Sequence, residues 1–262
     1  MYIFHITLLC LLFSSSVFAC ILRYQTEFDI PLSSPIKIFT NDHSLIVKSD
    51  SYIYQLDESN ALTLLTEQGN SVSPSHHTHQ FGSSYLNSQF SKFINRYQAS
   101  SFVASTHDEN TIYLITYDNS KNKLIEIDKS VLNEFDFDNA KQNIKFFEYD
   151  ILTPSNEGVS AIISDITMNK LNNTLYVSLF VIDKKEQFQQ YINYISPIHL
   201  EFLKVGHDIA MYFDAQLIQK ENKNQKVESI AVIPKFRDVT DLYLSMIDNE
   251  GSKRILKYQL LD

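Results

Sequence analysis

The segment NTLYVSLFVID at positions 173–183 is the clearest of four related segments in this chain of 262 residues. β-Branched and aromatic residues dominate it, and these residue types suit a pleated, partly buried strand. Three further segments share the pattern: SLIVKS (44–49), NTIYLITYD (110–118) and TDLYLSMID (240–248). Alignment on Ile46, Tyr113, Tyr176 and Tyr243 gives spacings of 67, 63 and 67 residues. A near-constant period indicates that one supersecondary unit is repeated four times.

Each recurring strand is followed by a polar turn and a second strand. The second strands are YIYQLD (52–57), KLIEID (123–128), QYINYI (190–195) and RILKYQLL (254–261). In KLIEID the polar and apolar residues largely alternate with period two, as a half-buried strand requires. Apolar runs upstream of the recurring strands add a third strand to each unit: Ile36–Phe39, Phe102–Ala104, Val159–Ile163 and Ile230–Ile233. Runs at Ala61–Leu65 and Ile144–Leu152 can supply outermost strands.

Three or four strands per unit at this period are typical of propeller blades. We therefore predict an all-β, β-propeller-like domain with about four blade units, which is either whole or part of a longer propeller. The alternative is a β-sandwich with irregular hairpins. The chain has no Trp, so the W-D repeat and the Trp-containing Asp-box are excluded. No clear apolar run follows the fourth unit, so we expect its outer edge to be open and to favour a homodimer.

The N-terminus has the pattern of an export signal. Residues 1–19 carry a short apolar block, a polar break and small or apolar residues before a cleavage point after Ala19. The predicted domains are a signal peptide (1–19) and a β-propeller domain (20–262), with secreted or extracellular-surface localisation. Cys20 leaves a bacterial lipoprotein open, because VFAC resembles a lipobox in which this Cys is lipidated. The mature chain retains one Cys at most, so no intramolecular disulfide is possible.

Composition excludes several classes of function. The formal net charge of −9 argues against a nucleic-acid partner, because phosphate binding requires a basic face. The five glycines are too far apart for a phosphate-binding loop or a G-x-S-x-G nucleophile elbow. No apolar run near 20 residues lies outside the N-terminus, so no membrane span is expected after signal removal. No cofactor is predicted.

Four polar motifs are candidates for a metal, catalytic or glycosylation site. The His76–His79 run could bind zinc or copper, but it lies in a polar segment and is better explained as a solvated loop. His107-Asp108-Glu109 could place a base beside carboxylates, yet its turn position favours surface residues. Asp136–Asn139 lacks the glycine that a calcium loop requires. Asn172 begins the only N-x-[ST] sequon and is a candidate glycosylation site. No catalytic or metal site is predicted.

The segment HSLIVKSDSYIYQLDESNALTLLTEQG (43–69) resembles the first blade of sema domains, the propellers of semaphorins and plexins. In that family an N-x-[IL]-Y-x-L-like strand is followed by an L-T-L outer strand, and Ser51–Asp57 and Leu62–Leu64 occupy those places. The later segment 242–256 looks like a second sema strand and turn. Sema domains carry several disulfides and seven blades, and this chain departs from both features.

The resemblance implies receptor–ligand recognition, so the main expectation is a secreted, non-enzymatic extracellular binding module with an extracellular protein partner. Two alternatives remain open. One is a bacterial surface lipoprotein of the same architecture, anchored through Cys20. The other is a secreted hydrolase whose acidic residues converge at a central channel, since carboxylates for glycoside hydrolysis can approach one another in three dimensions without any local motif.

Overall fold

The structure, a computed structural model, describes most of the repeated units. The described residues are 21–30, 36–41, 44–48, 52–56, 62–67, 101–118, 121–128, 146–156, 159–183, 190–203, 207–211, 216–218, 224–236 and 239–261. Ala19, Cys20, the His76–His79 run and Asp136–Asn139 lie outside these ranges.

Strands account for nearly all the regular structure in the described ranges. In chain order they are β1 (Ile21–Ile30), β2 (Lys37–Asn41), β3 (Ser44–Lys48), β4 (Tyr52–Leu56), β5 (Leu62–Glu67), β6 (Ser101–His107), β7 (Thr111–Asp118), β8 (Lys121–Asp128), β9 (Phe146–Leu152), β10 (Ser155–Asn156), β11 (Val159–Ser160), β12 (Ile162–Asn169), β13 (Thr174–Asp183), β14 (Gln190–His199), β15 (Ile209–Ala210), β16 (Gln216–Ile218), β17 (Gln225–Phe236), β18 (Val239–Asp248) and β19 (Lys253–Leu261). One 3-10 turn, Leu200–Phe202, follows β14. Within the described part of the chain, no helix is long and apolar enough to cross a membrane.

Four sheets correspond to the four predicted units, and we call them blades; they are antiparallel except for the short edge strand β15, which pairs parallel with β9. Blade I is β2-β3-β4-β5, blade II is β6-β7-β8-β9 with β15 at its edge, blade III is β12-β13-β14-β16, and blade IV is β17-β18-β19-β1. The recurring strands of the sequence are the second strands, β3, β7, β13 and β18. Leu62–Leu64 lies in β5, the outer strand of blade I. The predicted strand repeat is confirmed.

The blades pack face to face in sequence, as in a propeller. Their first strands are neighbours: β6 contacts β12, β12 contacts β17, and β17 contacts β2. An apolar layer fills each of these seams, with Leu175 between blades II and III, Leu242 between III and IV, and Ile255 between IV and I. Because three seams join the four sheets face to face, the all-β, propeller-like prediction is confirmed and the sandwich alternative is wrong.

A β-bulge recurs at one position of the repeat. The pairing shifts between Phe102 and Ala104 in β6, and likewise between Ile163 and Asp165 in β12 and between Val227 and Ser229 in β17. In each of these three blades, the first residue after the shift (Ala104, Asp165 or Ser229) pairs with the residue two positions after the repeat tyrosine. A bulge bends a strand and increases its twist. The repeat therefore extends beyond the hydrophobic pattern to a shared irregularity of the first strand.

The first described strand of the chain completes the last blade. β1 pairs with β19 in antiparallel register from Ile21 opposite Leu261 to Ile30 opposite Lys253. Tyr24 packs edge-on against Tyr258, with 5.6 Å between ring centroids. The expectation that the fourth unit lacks an outer strand is wrong, because that strand comes from the other end of the sequence. The open-edge argument for a homodimer loses its basis, and a homodimer stays an untested prediction.

Buried polar side chains tie blade III to blade IV. Asp165 Oδ2 accepts hydrogen bonds from the Ser229 hydroxyl at 2.5 Å and from the Ile230 amide at 3.1 Å. The same hydroxyl is 3.3 Å from the Ile38 amide of blade I. Asn193 acts as a second tie, since its side-chain amide donates to the Gln225 carbonyl and accepts from a β17 amide. Asp165 therefore joins three blades at their first strands.

Asp165→Ala is expected to lower the free energy of unfolding by about 2 to 3 kcal/mol, because it leaves the Ile230 amide buried without its acceptor. Chemical denaturation monitored by circular dichroism measures this change. Asp208→Ala is the control, because Asp208 is exposed and a surface change is expected to stay within about 0.5 kcal/mol. Equal unfolding midpoints for the two variants would contradict the role of Asp165.

Candidate functional site

Two carboxylates and two tyrosines lie together on the face of blade II that packs against blade III. We call Asp108, Tyr113, Glu126 and Tyr149 the blade II carboxylate cluster. Tyr113 on β7 lies directly across from Glu126 on β8, and Tyr149 on β9 lies across from Leu124. Residues opposite one another in antiparallel strands share a face of the sheet. Both tyrosines belong to the core between blades II and III, so Glu126 reaches that seam from the same face.

The turn between β6 and β7 fixes Asp108. Its Oδ1 atom accepts hydrogen bonds from the Asn110 amide at 2.8 Å and the Thr111 amide at 2.6 Å. Aspartate commonly closes turns in this way, by bonding to the backbone two and three residues further on. The other oxygen, Oδ2, accepts a hydrogen bond from the Tyr113 hydroxyl at 3.2 Å. The carboxylate is therefore held in one orientation at the end of blade II.

Glu126 is half-buried, and its second carboxyl oxygen accepts a hydrogen bond from the Tyr149 hydroxyl at 3.3 Å. Burial raises the pKa of Glu126 above its ordinary value, the nearby Asp108 charge raises it further, and the Tyr149 hydrogen bond opposes both effects. Burial and the charge of Glu126 also raise the pKa of Tyr149, to about 12. Glu126 therefore keeps its proton to a higher pH than an ordinary glutamate.

The repeat shows that the fold does not require an acid at the position of Glu126. Lys257 occupies the equivalent place in blade IV, across from Tyr243, and Pro197 occupies it in blade III, across from Tyr176. Lys257 Nζ is 3.0 Å from an Asp241 oxygen and 5.4 Å from the Tyr243 ring centroid, so blade IV pairs opposite charges here. Blade II instead brings two acids together, and this departure from the repeat makes the cluster the candidate functional site.

The cluster has an open side along β9. Phe147 lies across from Glu126 in the β8–β9 pairing, and its side chain is 50% exposed. Small-molecule sites are lined mostly by apolar and aromatic side chains with a few polar groups. A half-exposed aromatic ring beside an acid of raised pKa has this composition. Phe147 therefore presents an apolar ring to solvent next to Glu126.

The structure places the sequence candidates in different settings. Asp108 of the 107–109 motif joins the cluster, whereas Glu109 is exposed. Asn172 is half-buried in the turn before β13, and its Nδ2 atom lies 3.5 Å from the Tyr176 hydroxyl. Glycosylation of Asn172 stays a prediction. Among the described residues, no group of three His, Cys, Asp or Glu side chains is placed to hold a metal ion.

Among the residues that the structure describes, acidic side chains do not converge where the blades meet at their first strands. In the described parts of β2, β6, β12 and β17, the carboxylates are Asp165 and Glu228. Asp165 ties blades together as described above, and Glu228 accepts a hydrogen bond from the buried Lys253 at 3.0 Å. Asp108 and Glu126 instead share an environment on blade II, where the Asp108 charge acts on Glu126. Glu126 is not predicted as a site residue from the sequence. An acid opposite the repeat tyrosine of the hairpin is nevertheless a visible departure from the residues at this place in the repeat.

No family model matches the sequence, and no curated protein matches it significantly. Solved structures that are similar to this chain include the α-L-arabinanase of Cellvibrio cellulosa, at 9% identity over 85% of this chain and 71% of that chain, with a TM-score of 0.35. They also include the native arabinanase of Bacillus subtilis, at 13% identity over 82% of this chain and 67% of that chain, with a TM-score of 0.32.

These neighbours are named as enzymes, and this finding contradicts two expectations from the sequence. The chain was expected not to be an enzyme, and it was expected to be a non-enzymatic extracellular binding module; both expectations are corrected. The neighbours are not sema domains, and the sema resemblance stays a prediction. The blade II carboxylate cluster is identified from the contacts within this chain alone.

Proposed function

We propose that this chain is a secreted hydrolase that cleaves glycosidic bonds at the blade II carboxylate cluster. The observation that carries the proposal is the juxtaposition of Asp108 and Glu126 around Tyr113, which lies across from Glu126 and donates to Asp108. Glycoside hydrolysis uses two carboxyl groups, one of which holds a proton that it donates to the leaving oxygen. Glu126 has the raised pKa that a proton donor needs.

Asp108 supplies the second carboxyl group. Three hydrogen-bond donors, two backbone amides and the Tyr113 phenol, hold this carboxylate in place. In the proposed reaction Glu126 protonates the glycosidic oxygen as the bond to the anomeric carbon breaks. Asp108 stabilises the positive charge that develops there and accepts one proton from the attacking water. Phe147 offers its exposed ring to an apolar face of the sugar beside the breaking bond.

A panel of soluble polysaccharides tests the proposal, with release of reducing ends as the readout. Linear arabinan is tested first because two structures similar to this chain are named as arabinanases. Xylan, mannan, galactan and β-glucan complete the panel. We expect turnover on at least one of them. Absence of turnover on the whole panel across pH 4 to 8 would count against the proposal.

The active substrate also gives a pH prediction. Because a general acid must be protonated, activity falls as the pH rises through the pKa of Glu126. That pKa is raised, so we expect the alkaline limb of kcat/KM to lie above the ordinary range of a glutamate. A limb at or below that range would show that Glu126 is not the proton donor.

Secretion forms part of the proposal and rests on the sequence pattern of residues 1–19. Mass spectrometry of the mature protein tests it. A chain that begins at Cys20 without added mass supports secretion, and a diacylglyceryl mass on Cys20 supports the surface lipoprotein.

A further inference from the structure

We infer that Tyr149 is a positioning residue for Glu126, and that it determines which carboxyl oxygen carries the proton. The inference rests on the proposed function for its catalytic consequence. Its structural part, a phenol that holds one oxygen of a half-buried carboxyl group, rests on the contacts alone.

The geometry gives Tyr149 this role. Its side chain is 4% exposed and packs in the core between blades II and III, so the ring is held on all sides. The phenol donates to Oε2 of Glu126 at 3.3 Å. A phenol donates best to an oxygen that carries no proton. When Glu126 is neutral, its proton therefore lies on Oε1, the oxygen that Tyr149 leaves to the substrate.

The groups that surround Glu126 come from each neighbouring element. On β7 the Tyr113 ring faces it, and the Asp108 carboxylate lies in the turn before that strand. On β9 the neighbours are Tyr149 and the apolar Phe147. Blade III presents apolar side chains to the same core, among them Met168. Within this set Tyr149 is the donor bonded to the Glu126 carboxyl group, which makes it the residue to vary.

Tyr149→Phe removes one hydroxyl from a ring that stays packed. The hydrogen bond favours charged Glu126, so its loss is expected to raise the midpoint of Glu126 ionisation by about one pH unit. The midpoint is read from the ¹³C carboxyl resonance of Glu126, which is assigned by its disappearance in Glu126→Gln. Tyr194→Phe is the matched control, because Tyr194 packs partly buried against the same core and burial alone raises the pKa of its phenol. We expect this control to leave the Glu126 midpoint unchanged.

A second measurement requires no variant. In the unmodified protein the Tyr149 hydroxyl proton is expected to give a slowly exchanging resonance that shifts as Glu126 ionises. If that resonance does not respond to the ionisation of Glu126, or if Tyr149→Phe leaves the midpoint in place, the inference is overturned.

The outcomes also separate the inference from the proposed function. If Tyr149→Phe shifts the midpoint of Glu126 ionisation but the chain hydrolyses no polysaccharide, the positioning role is supported and the hydrolase proposal is wrong. In an active chain, we expect Tyr149→Phe to move the alkaline limb of kcat/KM by the same amount as the midpoint, with a roughly tenfold lower kcat. If the chain is active and Tyr149→Phe changes neither the alkaline limb of kcat/KM nor the Glu126 midpoint, the hydrolase proposal stands and the inference about Tyr149 is overturned.

Discussion

Glu126→Gln is expected to lower kcat on the hydrolysed polysaccharide by about 10²- to 10⁴-fold, which is the range for loss of a general acid. The amide has nearly the shape of the acid and still accepts the Tyr149 hydrogen bond, but it has no proton to deliver to the leaving oxygen. Substrate affinity should change little. The expected signature is a fall in kcat with a nearly constant KM, measured by reducing-end release.

Glu148→Gln is the matched control for this prediction. Glu148 lies on β9 of the same blade, across from Ile125, so it faces away from the cluster, where it pairs with Lys123. It carries the same substitution at a half-buried ion pair near the protein surface, which is expected to contribute about 1 kcal/mol to stability. If both variants lose activity equally, or if Glu126→Gln keeps more than a tenth of the wild-type kcat, Glu126 is not the general acid.

Deletion of residues 21–30 is expected to prevent the chain from folding. β1 covers β19 along nine residue pairs, and its loss exposes a full row of unpaired backbone groups. It also uncovers the edge of a core that includes Tyr258, whose pKa is raised chiefly by burial of its phenol. We expect the shortened chain to aggregate or to lose its strand signal in circular dichroism.

A chain that lacks only residues 1–20 is the control, and it should fold because β1 is intact. A synthetic peptide of residues 21–30, added to the shortened chain during refolding, should restore soluble protein, since it supplies the missing strand. Deletion of 21–30 without any change in the unfolding midpoint would show that β1 does not stabilise blade IV.

The sequence predicts the units of this fold because its strands are recognised locally. Alternation in 123–128 and the tyrosine spacing locate β8 and the second strand of each blade within a few residues. The N-terminal strand escapes prediction for a physical reason. Its pairing with β19 depends on a contact between opposite ends of the chain, and residues 21–30 do not belong to the period. Local patterns contain no information about such a partner.

The candidate site escapes prediction for a related reason. Asp108 stands in a motif that the sequence singles out, but its neighbours Glu126 and Tyr149 come from two other strands. Only the register of β7, β8 and β9 brings them together. The bulges also escape prediction, because their trace in the sequence is only a local break in alternation: Ile163 and Ile166 face the same core although they are three residues apart.

The pairing of β1 with β19 has a consequence for the order in which the protein is made. The ribosome synthesises β1 before the other described strands and β19 after them, and Ile21 and Leu261 are 240 positions apart (261 − 21). Contacts over such separations form slowly, since the intervening chain must first be ordered. The earliest strand therefore waits without its partner until synthesis of β19 is complete, and a chaperone has that interval in which to bind it.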